Sequence, residues 1–281
     1  MTAEIRTLVG AKFGGSNIPV QRSSFSNNFD WLKVKATASI GYDLVAVKHF
    51  IPEFTCTTFD LKSVANLFGN SIFKNNVDVN IYAGKIRETP LNGVFYDSAG
   101  ILVLTLDDAN VYLSRLSFNV EGAEPISCEL KSRGTPIESS TTSFQSFTIT
   151  HQGLYAIANI SVDSNSYGLR TFELNVTPQF YDYYEVSITP TLSALTGVDI
   201  EARVELPLAD YLSLTQQLET ECKDLILNLV KFRSCGLEPI SGGTITLSNA
   251  IVKPTNINAE LQQAATVELT IIPENITFSI S

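Results

Sequence analysis

Hydrophobic and polar positions alternate along most of this chain. The pattern runs through "LKVKATA" (32–38), "LVAVKH" (44–49), "VDVNIYA" (77–83), "ILVLTL" (101–106), "LRTFELNV" (169–176), "YEVSIT" (184–189), "DIEARVEL" (199–206), "GTITLS" (243–248) and "TVELTII" (266–272). A period of two sustained over such runs, rich in Val, Ile, Thr, Phe and Tyr, predicts half-buried β-strands. In the run at 199–206, Ala202, Val204 and Leu206 share one face while Glu201, Arg203 and Glu205 take the other, which predicts one buried and one wet face. Helical spacing appears twice. Val64, Leu67 and Phe68 form a stripe on 61–68, and Tyr211, Leu212, Leu218 and Cys222 do so on about 208–222. Pro207 suits the entry to the second helix, where a missing N–H leaves no bond unmade.

The order of these elements is written twice. "FDLKSVANLF" (59–68) and "VELPLADYLS" (204–213) each put an acid and a leucine at the end of a strand and then enter a helix. The next strands, 77–86 and 223–232, align without gaps, with Asp78 against Asp224 and Lys85 against Lys231. The breaks at 87–93 and 235–243 follow, then the strands at 101–111 and 244–252, and each half closes on a strand, 126–130 or 266–271. Upstream, 30–49 faces 167–188 as two strands joined by a turn. The polar segment "KSRGTPIESSTTSFQS" (131–146) reads as a linker, with a boundary near 137. The expectation is an all-β protein with minor helix, built from two tandem domains, 1–137 and 138–281.

Composition narrows the function. Hydrophobic residues are 44% of the chain and charged residues 17%, which excludes a disordered protein. No apolar run reaches the roughly 18–20 residues of a membrane-spanning helix, and "MTAEIRTLVGAKFGG" has no basic segment leading into an apolar one. A soluble protein made in the cytoplasm is expected. The net charge of −10 opposes binding to a phosphate backbone, because that affinity rests on cationic neutralisation. Cys56, Cys128, Cys222 and Cys235 form no CxxC pair, so neither a disulfide framework nor a zinc knuckle is written.

Candidate chemistry is sparse. His49 and His151 each end a strand with no nucleophile or carboxylate pattern beside them, and both are read as structural. "GAKFGGS" (10–16) lacks the Gly-Lys-Ser/Thr ending of a phosphate loop and is read as part of a flexible N-terminal arm over about 9–28. "DSNSYG" (163–168) opens like a calcium loop with Asp163, Asn165 and Gly168, but Leu174 stands where the final glutamate belongs, so a hairpin turn is expected. The cluster "FYDYYEV" (180–186) offers either an aromatic sugar platform or, more in keeping with β-structure, strand packing and subunit contact. Acceptor triplets at Asn159, Asn175 and Asn275 carry no weight without a secretion signal. No catalytic, cofactor-binding or metal-ligating residue is assigned.

Two strands, a crossing strand, a short helix and further strands, behind a glycine- and serine-rich arm, form an order that resembles the tail-tube fold of long-tailed bacteriophages. The likeness lies in Thr57–Leu61 with Val64–Phe68 and in Ala202–Leu206 with Leu208–Leu218. It covers most of both halves and is architectural, since that family has no diagnostic short motif. It implies β-sandwich or barrel domains, each flanked by one helix, that join side by side into six-fold rings stacked as a conduit for DNA. A duplicated chain would build a pseudo-six-fold ring from three copies, in a virion tail with other tail proteins, and DNA would pass an acidic lumen without specific binding. A baseplate hub or distal tail protein of the same fold, or a carbohydrate-binding or adhesion module, is the alternative.

Overall fold

The computed structural model describes residues 6–34, 44–91, 94–96, 99–121, 124–138, 144–146, 153–185, 187, 190–218, 222–232, 240–258 and 265–281. The protein is all-β, with two short helices among the described residues. The first half holds β1 (Arg6–Phe13), β2 (Ser16–Ile18), β3 (Arg22–Val34), β4 (Leu44–Thr58), α1 (Leu61–Phe68), β5 (Phe73–Leu91), β6 (Val94–Tyr96), β7 (Ala99–Asn119), β8 (Ser127–Glu138) and β9 (Phe144–Ser146). The second holds β10 (Leu154–Val162), β11 (Asn165–Tyr167), β12 (Thr171–Tyr183), β13 (Leu192–Pro207), α2 (Leu208–Leu218), β14 (Lys223–Phe232), β15 (Ile240–Asn258), β16 (Thr266–Ile272) and β17 (Asn275–Ile280).

The strand pairing follows one scheme in both halves, antiparallel throughout. β1 pairs with β2 and β5 as β10 does with β11 and β14. β3 pairs with β4 as β12 does with β13, and β4 with β8 as β13 does with β16. β5–β7–β8 corresponds to β14–β15–β16, with β17 continuing along β15 where the end of β8 continues along β7. The pairings β5–β6 and β7–β9 belong to the first half alone among the described residues. Bulges recur at matching places. The extra residue is Val9 and Ala158 in the opening strands, Lys48 and Thr196 in the long hairpins, and Ser114 and Thr255 where β7 and β15 meet their neighbours. A bulge shifts which residues face inward, so matched bulges hold both halves to one register.

The two matching hairpin turns differ in residues and in backbone. The β1–β2 turn uses Gly14 at φ 56 with Gly15, and the β10–β11 turn uses Asp163 at φ 48 and Ser164 at φ 70. Two-residue hairpins of this kind need positive φ, which Gly and Asp supply at least cost. The stretch expected as a flexible arm is therefore this hairpin and β3, with Ala11, Phe13 and Ile18 buried. Its glycines serve the turn. The expected linker also differs: Lys131–Arg133 lie in β8, paired to β4 on one side and β7 on the other, so the boundary near 137 falls inside a strand. Its charged residues find partners, since Lys131 reaches Glu53 at 3.5 Å and Arg133 reaches Asp182 at 2.5 Å, whereas the buried Ser132 hydroxyl has no hydrogen-bond partner among the described residues. Tyr184, Glu185 and Ser187, expected in a strand at 184–189, lie in the connection between β12 and β13.

α1 begins where Asp60 accepts a hydrogen bond from the Ser63 amide at 3.1 Å and ends at Gly69, whose N–H reaches the Ala65 carbonyl at 2.8 Å. The first bond satisfies one of the amides a helix start leaves unpaired. Leu61, Val64 and Leu67 are buried, with the helix lying against β2, β8 and β17. α2 lies against β13 and β16; it buries Leu214 and leaves Leu212 exposed. One core runs through both halves, from Phe13, Phe54 and Leu106 to Phe172, Leu227 and Ile245. Ala202, Val204 and Leu206 are buried, as their alternation predicts.

Candidate functional site

The two halves meet along one strand pair. β7 runs antiparallel to β12, with Ser117 opposite Glu173, Leu116 opposite Leu174 and Arg115 opposite Asn175. Leu116 and Leu174 are both fully buried. Arg115 reaches Glu173 at 3.1 Å, and Arg170 joins Glu121 to Glu205 beyond the end of the pairing. The Val120 amide donates to the Arg170 carbonyl at 2.9 Å, and the Ile126 amide to that of Tyr155 at 2.8 Å. Backbone bonds fix the register and the leucine pair supplies apolar burial, on the order of 1.5–3 kcal/mol per side chain.

A second contact crosses the halves at the far end of β12. Phe180 packs at 6.0 Å from Phe73 and 6.1 Å from Tyr112, and the Arg133 guanidinium lies 4.6 Å from the Phe180 ring centre. Asp182 takes the Arg133 ion pair and accepts from the Ser193 hydroxyl at 2.7 Å, while the Asn110 amide donates to the Ser193 carbonyl at 3.3 Å. Burial, then the Glu53 charge, pushes the Tyr112 hydroxyl up to about 12 against the opposing pull of Arg133. His49 stacks on Tyr184 at 3.8 Å between ring centres. The aromatic segment 180–186 thus splits by alternation: Phe180 and Tyr184 turn to the first half, while Tyr181 and Tyr183 are exposed.

Two grooves flank these contacts. One of about 480 Å³ runs beside the β7–β12 pair, lined by Arg115, Glu124, Glu173, Arg203, Glu205 and Glu268 among others. Its arginines are already engaged, Arg115 by Glu173 and Arg203 by Glu201 at 3.0 Å. The other, of about 250 Å³, lies between Ile51, Asn76, Arg133 and Thr191. Neither joins a nucleophile to a base in a hydrogen-bonded pair.

The remaining candidates resolve into structural roles. Asp163 occupies a hairpin turn and pairs with Lys223, which leaves no calcium loop at 163–168. Asn159 accepts from Asn228 at 2.6 Å across β10 and β14. Cys56 and Cys128 are buried free thiols, held far above the ordinary thiol range chiefly by desolvation; Cys222 is exposed. His151 and Cys235 lie outside the described residues.

A recurring device escaped the sequence reading. Asp224 accepts from the amide of Asn249, which sits at φ 48, at 3.0 Å; Asp78 accepts from that of Asp108, at φ 47, at a longer 3.5 Å. The signal was the matched pair Asp78 and Asp224, each opposite an Asp or Asn able to take the left-handed conformation. Asp107 joins Asp78 and Asp108 in an exposed acidic group, and its carboxyl is raised above the usual range, first by its hydrogen bond with Asp78.

Comparison with protein-family models and with curated protein sequences finds no match to this chain.

Proposed function

We propose that this chain is a non-catalytic assembly protein of tail-tube type, whose copies join side by side into rings that stack as a conduit for DNA. The observation that carries the reading is the strand scheme written twice and joined edge to edge by β7 and β12. A unit that pairs laterally with its own repeat within the chain has the elements needed to pair with the next copy. Three chains then supply six positions. The net charge of −10 suits passage of a polyanion, since like charge keeps DNA from adhering.

Electron microscopy of the purified full chain tests this. Tubes or closed rings are the expected result; a species that stays monomeric at every protein and salt concentration overturns it, and isolated rings that never stack assign the chain to a hub instead. A second reading rests on Tyr181 and Tyr183, 60% and 48% exposed beside the exposed Leu192. Such a platform suits a sugar face, and saturable binding on a glycan array, lost in Tyr181→Ala, would favour an adhesion module.

A further inference from the structure

The strand pair that joins the halves has a counterpart at two strand edges that are unpaired among the described residues. The bulge at Leu113/Arg115 matches that at Pro254/Asn256, which equates Arg115, Leu116 and Ser117 with Asn256, Ile257 and Asn258. The bulge at Gln179/Phe180 matches that at Asp30/Trp31, which equates Glu173, Leu174 and Asn175 with Ser24, Phe25 and Ser26. Among the described residues, Asn256–Asn258 pair only with β16 and Ser24–Ser26 only with β4, whereas their equivalents in β7 and β12 have neighbours on both sides. Exposure follows the pairing: Leu116 and Leu174 are 0% exposed, but Ile257 is 61% and Phe25 40% exposed.

We infer that Asn256–Asn258 of one copy pairs antiparallel with Ser24–Ser26 of a second copy, seating Ile257 against Phe25 as Leu116 sits against Leu174. The expected register places Ser24 opposite Asn258, Phe25 opposite Ile257 and Ser26 opposite Asn256, transposed from the pairing inside the chain. The second copy is the occupant because this chain already carries the same contact, filled by its own other half. These six positions contain no proline and no charge, the residues that blunt a strand edge. The Arg115–Glu173 ion pair has no counterpart there, since Asn256 and Ser24 stand in its place. The contact is therefore held by backbone bonds and the Phe25–Ile257 pair. It is heterologous, one edge meeting a different edge, so it propagates in one direction and closes into a ring or extends as a filament. The inference rests on the assembly reading above and names the surfaces that reading leaves open.

Cross-linking tests it in the full chain. In a background of Cys222→Ser and Cys235→Ser, the variant carrying both Phe25→Cys and Ile257→Cys is expected to give a ladder of disulfide-linked oligomers on mild oxidation. An equimolar mixture of the two single variants is expected to stop at dimers, and either single variant alone to stay uncross-linked. Dimers from a single variant would mean like edges meet, which overturns the proposal. In parallel, Phe25→Asp is expected to weaken association by at least about tenfold in sedimentation, with partial recovery when Ile257→Lys is added. Circular dichroism matching the parent checks that these variants fold. Assembled parent rings with no cross-link between positions 25 and 257 would overturn this contact and leave the assembly function standing. A parent that remains monomeric overturns both.

Discussion

Single side chains in this protein act mainly by securing backbone that the sequence bends on purpose. Asp60 is buried, accepts from the Ser63 amide at the start of α1, and its own amide donates to the Thr58 hydroxyl at 3.1 Å. Asp60→Ala removes the cap and is expected to cost about 1–2 kcal/mol, with Asp60→Ser recovering part of it, measured by urea denaturation. Asp107 adds a pH dependence to the stability of the folded state. Its carboxyl is raised by the hydrogen bond with Asp78, by desolvation and by the Asp108 and Asp78 charges, so the folded chain holds that proton more tightly than the unfolded one. Stability contributed here falls as pH rises from the ordinary carboxylate value through the raised one. Asp107→Asn keeps a donor toward Asp78 without the charge. Its melting temperature should exceed the parent's at neutral pH, with the advantage shrinking or reversing at low pH; an equal gain at both would remove the assignment.

At the scale of elements, the two helices show the same role in unequal surroundings. α1 packs against β2, β8 and β17, while α2 rests on β13 and β16 with Ala209, Leu212 and Ser213 exposed. Leu61→Ala is expected to cost about 2–5 kcal/mol, as large-to-small changes in a packed core do. Leu212→Ala, at a 57% exposed site, should stay within about 0.5 kcal/mol in the same assay. Most of the strands expected from alternation are present, with 184–189 the exception, and 77–86 lies in the same register to β1 as 223–232 does to β10. The match of 59–68 to 204–213 was not legible in its true register: pairing of Arg22 with Thr57 and of Thr171 with Glu205 equates Thr57 with Glu205, so Asp60 and Glu205 are not counterparts. One caps a helix and the other accepts from the Thr266 hydroxyl at 2.6 Å within a sheet. An acid followed by leucine is too common a pair to fix register. Polar composition misled over 131–138 for a related reason, because a strand flanked on both sides can hold Lys131 and Arg133 when Glu53 of β4 and Asp182 of β12 stand ready as partners.

Besides the core that runs through both halves, specific polar contacts hold the whole molecule together. Arg133 is one: its side chain is 12% exposed, bonded to Asp182 and set over Phe180. Arg133→Ala leaves Asp182 without its cation and is expected to cost about 1.5–3 kcal/mol. Arg133→Lys should restore only part, because an ammonium cannot match the planar guanidinium over a ring. Association between copies should respond to salt in one direction. With net charge −10 and no charged residue at Ser24–Ser26 or Asn256–Asn258, added salt screens repulsion without weakening an ion pair at the contact. Sedimentation should therefore show tighter assembly between low and physiological ionic strength, and dissociation over that range would refute the uncharged edge contact. The seam itself lay beyond sequence reading, since β7 and β12 are ordinary alternating strands and nothing in their residues says which neighbour each will choose.

The matched bulges bear on how such a chain can be found among others. Each is a place where the inside–outside rhythm skips one beat, and the halves skip at Val9 and Ala158, at Lys48 and Thr196, and at Ser114 and Thr255. These pairs share no residue, so letter-by-letter comparison passes over them. The spacing of the skips is nevertheless the stricter constraint, because a lost or added beat turns every following side chain to the wrong face until another restores the phase. A search keyed to the rhythm and its interruptions, blind to residue identity, would align the halves of this chain and is the comparison with which its distant kin should be sought.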